Sequence, residues 1–284
     1  MKGYLLQKKL YYNNLLTNNY NEKYNFLHDT KFSTFDTKYG KITLYKNDKN
    51  MTPIFKNGGY HDEDTLQKLK SYIDPNRNIL EFGGHCGTST VVYSTFLNDN
   101  NKVFVYEPQQ NMYNLIIKNI NQNNLQNKII PNNLGVFCYE GNSVMHSIDL
   151  DGGDYGIVEK RYNEESNLGC NFAGVGLGTN GELIKVTTID NMNLDNIGFI
   201  HSDAQGSENF IFSKAIKTIT KNRPLILYEN FEFYGTYLYD NICQTYPQYE
   251  EESKFDIKKY CMETLKYTQF IDKFNGSIDT LLIP

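Results

Sequence analysis

The sequence predicts an α/β fold: a mostly parallel seven-stranded sheet with helices on both faces and an antiparallel hairpin at the C-terminus. Between residues 78 and 229, short continuous apolar runs alternate with amphipathic segments of helical periodicity. That alternation is typical of a parallel sheet that is buried on both faces. Near the C-terminus, two strand-like segments flank Asn275–Gly276, a dipeptide that favours a hairpin turn.

The predicted elements follow in a regular order along the chain. Apolar runs predict parallel strands over 78–82, 102–107, 127–135, 197–203 and 224–230. Helical periodicity predicts helices over 62–73, 87–97, 110–123 and 207–221, and another around 255–267. The first of these helices has acidic residues in its first turn, which suit the helix dipole.

Two segments fall outside this alternation of strands and helices. Residues 1–57 form an N-terminal extension that contains a β-hairpin, with its turn at Lys38–Tyr39–Gly40. The main domain covers 58–284, and within it residues 140–185 are a long irregular insertion rich in glycine and acids. The extension packs either on its own domain or on a second subunit as a homodimer.

Composition excludes several classes of protein. The net charge of −5 provides no basic surface for nucleic acid or for an anionic membrane. The first residues lack the apolar core of a signal peptide, and no apolar run approaches the length of a membrane span. The five cysteines show no metal-ligand spacing and are expected to be free thiols. These features predict a soluble, cytoplasmic protein.

The segment EFGGHCG follows the first predicted parallel strand and opens a helix. Gly83 and Gly84 allow a ligand close to the backbone, and the helix begins after Gly87. A dinucleotide fingerprint would require glycine at the position of Phe82. The carboxylate of Glu81, beside the turn, instead suits the cationic amino group of a ligand that carries an amino acid.

A second carboxylate, Glu107, ends the next strand, about 20 residues beyond Gly87. An acid at that position is placed to accept hydrogen bonds from both hydroxyls of a ribose. Glu81 and Glu107 are alternatively solvated strand ends without a ligand. Together, on adjacent strands, they favour S-adenosylmethionine, which has both a ribose and an amino acid.

Several segments, in order, resemble the FkbM family of S-adenosylmethionine-dependent methyltransferases. EFGGHCGTST is similar to the family turn D-V-G-A-N-x-G-x-x-T, and IHSDAQGSE is similar to K-I-D-V-E-G-A-E. VYEPQQNMYNLIIKNI, NNLGV, VTTID and RPLILYEN resemble further family segments. The resemblance covers residues 58–284. It implies a Rossmann-like class I methyltransferase that acts mostly on hydroxyls of sugars, glycans or related natural products.

The chain departs from the family pattern beside the expected chemistry. His85 stands where the family has asparagine, His201 where it has lysine, and Gln205 where it has glutamate. The catalytic details of relatives therefore do not carry over directly. The residues predicted to bind the cofactor are Glu81, Gly83, Gly84, His85, Gly87, Glu107, Pro108, Asn133 and Leu134, the last two by position alone, as adenine contacts.

Methyl transfer requires alignment of the acceptor oxygen and removal of its proton. Asp203, at the end of the fourth strand, and His201, two residues earlier on the same face, are the predicted catalytic residues. Asp203 with Glu229 and Asn230 on the next strand is similar to the magnesium site of catechol O-methyltransferase-like enzymes. Alternatively, Asp203 caps the following helix and the other two residues hydrogen-bond loops.

The insertion is predicted to recognise the acceptor, because it lies between the third and fourth strands, over the carboxyl edge of the sheet. Its aromatic residues, Tyr155, Tyr162 and Phe172, are candidates to stack on a sugar ring. The predicted acceptor is a sugar, a nucleotide-sugar or a glycan. Two alternatives stay open, namely a protein or RNA acceptor, and a non-catalytic module that binds the cofactor or a partner.

Overall fold

A seven-stranded sheet forms the centre of this computed structural model, which describes residues 32–46, 48, 50–146, 174–233 and 237–284. Its strands are β3 (Asn78–Phe82), β4 (Val103–Tyr106), β5 (Ile129–Asn132), β9 (Ile197–Ser202), β10 (Leu225–Glu229), β11 (Gln269–Ile271) and β12 (Asp279–Ile283). They lie in the order β11–β12–β10–β9–β3–β4–β5 across the sheet. β12 runs antiparallel to both of its neighbours, whereas the pairs from β10 to β5 are all parallel. The predicted mostly parallel sheet with a reversed C-terminal hairpin is therefore confirmed.

Helices cover both faces of this sheet. Among the described residues, the helices of the chain are α1 (Met51–Lys56), α2 (Glu63–Lys70), α3 (Thr88–Ser94), α4 (Gln110–Gln122), α5 (Glu208–Ser213), α6 (Ile216–Asn222), α7 (Tyr237–Thr245), α8 (Glu250–Ser253) and α9 (Ile257–Lys259). Successive residues of β3 belong to different buried clusters: Ile79 packs with side chains of α3 and α4, and Leu80 with those of α5 and α6. A strand that is buried on both faces explains why its sequence is a continuous apolar run.

Two predicted elements differ from the structure. The helix expected over 207–221 is divided, because α5 ends at Ser213 and α6 begins at Ile216. The helix expected around 255–267 is the short α9 followed by a π-helical turn, Tyr260–Thr264. Short 3₁₀ turns lie at Ile189–Met192, Phe231–Phe233, Pro247–Tyr249 and Phe274–Gly276. The last of these connects β11 to β12, with Asn275 and Gly276 at positive φ as the hairpin signal predicted.

The ends of the predicted irregular insertion are ordered strands. β7 (Gly141–His146) pairs antiparallel with β8 (Asn180–Thr187), and β8 pairs parallel with β6 (Gly135–Val136). The expectation of irregular chain over the whole of 140–185 is therefore wrong at both ends. Three aromatic residues were candidates to stack on a sugar ring. They lie outside the described residues: Tyr155, Tyr162 and Phe172.

The N-terminal hairpin is built from β1 (Phe32–Thr37) and β2 (Gly40–Tyr45), which pair around the predicted turn. It packs on α4 through buried Asn119, whose Oδ1 accepts from Thr43 N at 2.8 Å. The Nδ2 of Asn119 donates to the Thr43 carbonyl at 3.2 Å and to the Cys86 carbonyl at 2.7 Å. One amide thus connects the hairpin, α4 and the turn after β3.

Asn119→Ala is expected to lower the free energy of unfolding by about 2 kcal/mol, because it leaves buried backbone groups of the hairpin and the turn without partners. Urea unfolding followed by circular dichroism measures the change. Asn114→Ala is the matched control, since Asn114 is exposed on the same helix and its loss should cost less than about 0.5 kcal/mol. Equal stability of the two variants would contradict this role for Asn119.

No helix among the described residues is long and apolar enough to cross a membrane. Four of the five cysteines fall within the described residues, and all four are free thiols, as expected.

Candidate functional site

A cleft opens at the carboxyl edge of the parallel strands, where the turns after β3, β4 and β9 meet. Its empty space, including the part open to solvent, is about 1240 Å³. The turn after β3 and the tip of β4 line one end. The tip of β9, the segment before α2 and Asp279 of β12 line the other. This is the edge at which doubly wound sheets bind ligands.

Glycine is required in the turn after β3 because other atoms of the protein fill the space where a side chain would lie. Gly83 has φ +73°, and a Cβ there would lie 1.8 Å from the Asp203 carbonyl oxygen. A Cβ on Gly84 would lie 2.2 Å from a methyl carbon of Val105. Both glycines line the cleft. Gly87 instead lies behind the turn as the N-cap of α3, where a Cβ would meet Ile116 at 3.4 Å.

The Glu107 carboxylate lies in the cleft with both oxygens fixed by backbone amides. Oε1 accepts from Gln109 N at 2.7 Å, and Oε2 accepts from His85 N at 2.8 Å. The side chain belongs to a residue that is only 3% exposed, and burial raises the pKa of this carboxyl to about 8 against the lowering effect of the two amides. In its ionised form, Glu107 is thus a preorganised acceptor for hydroxyl groups of a ligand.

His85 follows the two glycines, has φ +47° and also lines the cleft. Its Nδ1 lies 3.3 Å from Cys86 Sγ. Burial lowers the pKa of His85 to about 4, so the ring is neutral at physiological pH. The buried Nε2 atom has no hydrogen-bond partner among the described residues. A buried polar atom without a partner is costly, so this atom fits a site that a ligand completes.

The residues predicted for adenine contact do not reach the cleft lining. Asn133 donates through Nδ2 to the carbonyls of Glu107 and Pro108, at 3.0 and 3.1 Å, and so supports the loop that carries Glu107. Leu134 packs in the apolar cluster on the α5 side of the sheet. Gly135 and Val136 line the cleft in their place, and Pro108 lines it as predicted.

Glu81 is also placed differently from the prediction. It lies within β3, paired with Val105 and His201 of the neighbouring strands, whereas Glu107 lies one residue past the end of β4. Glu81 is 0% exposed, and its oxygens accept from the Ser89 and Thr90 hydroxyls of α3 at 2.5 and 2.6 Å. The structure therefore does not bring this carboxylate to the cleft, and the predicted contact with a ligand ammonium is corrected.

Glu81 instead supports His201, which does line the cleft. His201 Nδ1 lies 3.6 Å from Glu81 Oε1 and 3.2 Å from the Tyr93 hydroxyl. Burial lowers the pKa of His201, but Glu81, with further help from the charges of Asp203 and Asp279, more than offsets this effect. The net pKa is raised above its ordinary value. A carboxylate behind an imidazole stabilises the protonated form that arises when the ring takes a proton.

Asp203 lines the cleft next to Glu229, because β9 and β10 are parallel neighbours whose ends coincide. Gln205 Nε2 donates to Asp203 Oδ1 at 2.6 Å and to Glu229 Oε2 at 3.2 Å. Burial raises the pKa of Glu229 well above its ordinary value, and the charge of Asp203 raises it further.

The third predicted metal ligand, Asn230, is committed elsewhere. Its Oδ1 accepts from Glu232 N at 3.1 Å, and its Nδ2 donates to the Thr280 hydroxyl at 3.2 Å. Within the residues that the structure describes, no group of three or more His, Cys, Asp or Glu side chains is placed to hold a metal ion. The predicted set of Asp203, Glu229 and Asn230 therefore does not fit a divalent cation in this arrangement.

Sequence reasoning missed His61 and Asp62, which also line the cleft. His61 Nδ1 lies 3.0 Å from Asp62 Oδ2. Burial lowers the pKa of His61, but Asp62, together with the charges of Asp203 and Asp48, raises it more, so the net pKa is above the ordinary value. The only sequence signal was a His–Asp pair directly before an amphipathic helix.

Comparison with models of protein families finds no match, and neither does comparison with curated proteins. Solved structures give weak matches. An O-methyltransferase from Bacillus cereus in complex with SAH is 16% identical, with 78% of this chain and 79% of that chain covered and a TM-score of 0.41. The methyltransferase FkbM from Methylobacillus flagellatus KT is 12% identical, with a TM-score of 0.38. The match covers 66% of this chain and 53%, about half, of the FkbM chain.

A third match is a tRNA (uracil-54, C5)-methyltransferase from Pyrococcus abyssi in complex with S-adenosyl-L-homocysteine. It is 10% identical and has a TM-score of 0.42, with 90% of this chain and 44% of that chain covered. At these identities and TM-scores the matches decide neither reaction nor acceptor, so the function is argued from the site itself.

Proposed function

We propose that this chain is an S-adenosylmethionine-dependent methyltransferase that acts on a hydroxyl of a sugar or glycoconjugate. The observation that carries the proposal is Glu107, a buried carboxylate at the tip of the strand next to β3, with both oxygens aligned by backbone amides. In a sheet of this strand order, such a carboxylate is suited to the two hydroxyls of a ribose. The unpartnered Nε2 of His85 beside it offers a further contact.

The residues of the cofactor end fit this ligand. Glu107 would hold the ribose, Gly83 and Gly84 would face the ligand with backbone, and Gly135 and Val136 would border its base. When bound, S-adenosylmethionine supplies an activated methyl group. The protein has to hold that ligand, align the acceptor oxygen and take its proton.

The acceptor end of the cleft is rich in hydrogen-bond acceptors. Asp62, Asp203 and Asp279 line it together with His61 and His201. Carboxylates and imidazoles accept hydrogen bonds from the hydroxyls of a neutral sugar. The three carboxylates repel the phosphates of RNA or of a nucleotide-sugar, so among the predicted acceptor classes this end favours an uncharged sugar or glycan.

We assign proton removal to His201, with Asp203 as the acceptor of a hydrogen bond from the substrate hydroxyl. His201 takes the proton on Nε2, while Glu81 and the Tyr93 hydroxyl hold the ring at Nδ1. As the proton leaves the hydroxyl, the charge that develops on the imidazole is balanced by Glu81. The metal assistance expected from the sequence is not included, because Asn230 and Gln205 do not leave a ligand set for it.

Thermal unfolding in the presence of S-adenosylhomocysteine tests the cofactor. At a concentration of about 100 times its dissociation constant, the ligand adds about 2.7 kcal/mol of stability. We expect a rise in Tm of about 5 °C. NAD is the control and should leave Tm unchanged, because the turn after β3 has Phe82 where a dinucleotide fingerprint has glycine. A rise with NAD alone would overturn the proposal, and binding without transfer to any hydroxyl would favour a non-catalytic module.

A further inference from the structure

The amide of Gln205 occupies the space between two carboxyl groups at the strand tips. Its Nε2 donates to Asp203 Oδ1 at 2.6 Å and to Glu229 Oε2 at 3.2 Å. An amide nitrogen has two hydrogens, so these two bonds use its full capacity as a donor. A cation shared by the same two oxygens would have to displace this amide.

The turn around Gln205 is fixed on both sides by one buried carboxylate. Glu208 is 0% exposed, and its two oxygens accept from Ala204 N at 2.7 Å and from Gly206 N at 3.2 Å. Gln205 itself has φ +49°. Gly176 of the segment before β8 packs so closely that a Cβ there would lie 2.5 Å from the Gln205 carbonyl oxygen. The backbone of Gln205 is thus held in one place, which limits where its side chain reaches.

Within the described part of the chain, no third acidic, histidine or cysteine side chain is placed with this pair to hold a cation. Asn230 uses its oxygen on Glu232 N and its nitrogen on Thr280. A hard divalent cation prefers about six oxygen ligands, with carboxylates prominent among them. Gln205 offers the two carboxyl groups a hydrogen-bond donor instead, and an amide needs no further ligands.

We propose that the Gln205 amide takes the place of a divalent cation between Asp203 and Glu229, so that the acceptor end of the cleft works without a metal ion. The amide positions Asp203 and leaves the proton of the acceptor to the histidine beside it. The catalytic part of this inference rests on the proposed methyltransferase function. The binding part does not, because it concerns the affinity of the protein for a cation alone.

The inference predicts a switch of metal affinity at one position. Gln205→Glu would put a third carboxylate against the pair. The mutual repulsion of three carboxylates favours a cation between them. Titration calorimetry with Mn²⁺ should show no saturable binding to the wild-type chain and saturable binding to Gln205→Glu. The affinity of the variant should be at least about tenfold higher than any residual affinity of the wild type, a gain of about 1.4 kcal/mol. Gln126→Glu adds the same charge at an exposed position and should bind no better than wild type.

Wild-type binding of Mn²⁺ that disappears in Asp203→Asn would overturn the inference, since it would mean that the Gln205 oxygen, and not its nitrogen, faces the carboxyl groups. The wild-type titration is decisive even if Gln205→Glu fails to fold. Methyl transfer by the wild-type chain should be unchanged by a chelator. Absence of transfer under every condition would count against the proposed function, while the Mn²⁺ titrations would still decide the role of Gln205.

Discussion

Above pH 8, where the carboxyl is mostly ionised, Glu107→Gln should weaken the binding of S-adenosylhomocysteine by about 30-fold to 150-fold, equivalent to about 2–3 kcal/mol. Two backbone amides fix this carboxylate at the cofactor end of the cleft. Its replacement keeps the shape of the side chain but removes the charge that strengthens hydrogen bonds from ribose hydroxyls. Isothermal titration calorimetry of the wild-type protein and the variant measures the change directly.

The pH dependence of the same titrations provides the control. Burial places the pKa of Glu107 at about 8 in the free protein, so below that pH the carboxyl is mostly protonated. Hydroxyl donors prefer the ionised form, and ligand binding therefore has to remove a proton. Wild-type affinity should rise by up to about tenfold per pH unit between pH 6 and 8 and level off above pH 8. Glu107→Gln should lack this component.

Asp203→Asn should lower kcat for methyl transfer by about 100-fold or more while leaving the affinity for S-adenosylhomocysteine within about twofold of wild type. The carboxylate lines the acceptor end of the cleft, and an asparagine there can no longer align a hydroxyl through a charged hydrogen bond. Single-turnover kinetics combined with titration calorimetry separates these two effects.

Asp99→Asn is the matched control for this loss of charge, because Asp99 is fully exposed and its contact is with Lys128, away from the cleft. It should leave both kcat and cofactor affinity unchanged. A wild-type turnover in Asp203→Asn would remove this residue from the reaction and leave His61 and His201 as the groups that contact the acceptor.

Glu81 and Glu107 show which parts of the site could be predicted from the sequence and which could not. Both end apolar runs, and both were predicted to reach the cleft. The strand ladder separates them, because Glu81 is still paired within β3 while Glu107 is one residue beyond β4. In the register of these two strands, Glu81 lies opposite Val105, which is two residues before Glu107, so Glu81 is inside the ladder and Glu107 is past its end. The local pattern predicted the sheet and its carboxyl edge, but not where each strand ends.

The residues that sequence reasoning missed depend on long-range contacts. His61 and Asp62 reach the cleft only because the segment before α2 packs over the carboxyl edge of strands that follow it in the chain. The partners of Gln205 come from β9 and β10, and nothing in its own neighbourhood predicts a bridge to Glu229. Hydrophobic periodicity indicates which face of a helix or strand is buried, whereas these contacts depend on which helices, strands and loops pack against one another.

The side chain of Asn119 connects the N-terminal hairpin to the turn at the cofactor end of the cleft. Because the same amide binds Thr43 of the hairpin and the Cys86 carbonyl of the turn, a change that tightens one of them stabilises the other. Linkage makes such coupling reciprocal: a macromolecule that docks on the hairpin and raises cofactor affinity is itself bound more tightly, by the same factor, when the cofactor is present. The hairpin lies outside the seven-stranded sheet, yet one buried amide connects it to the turn that lines the cleft.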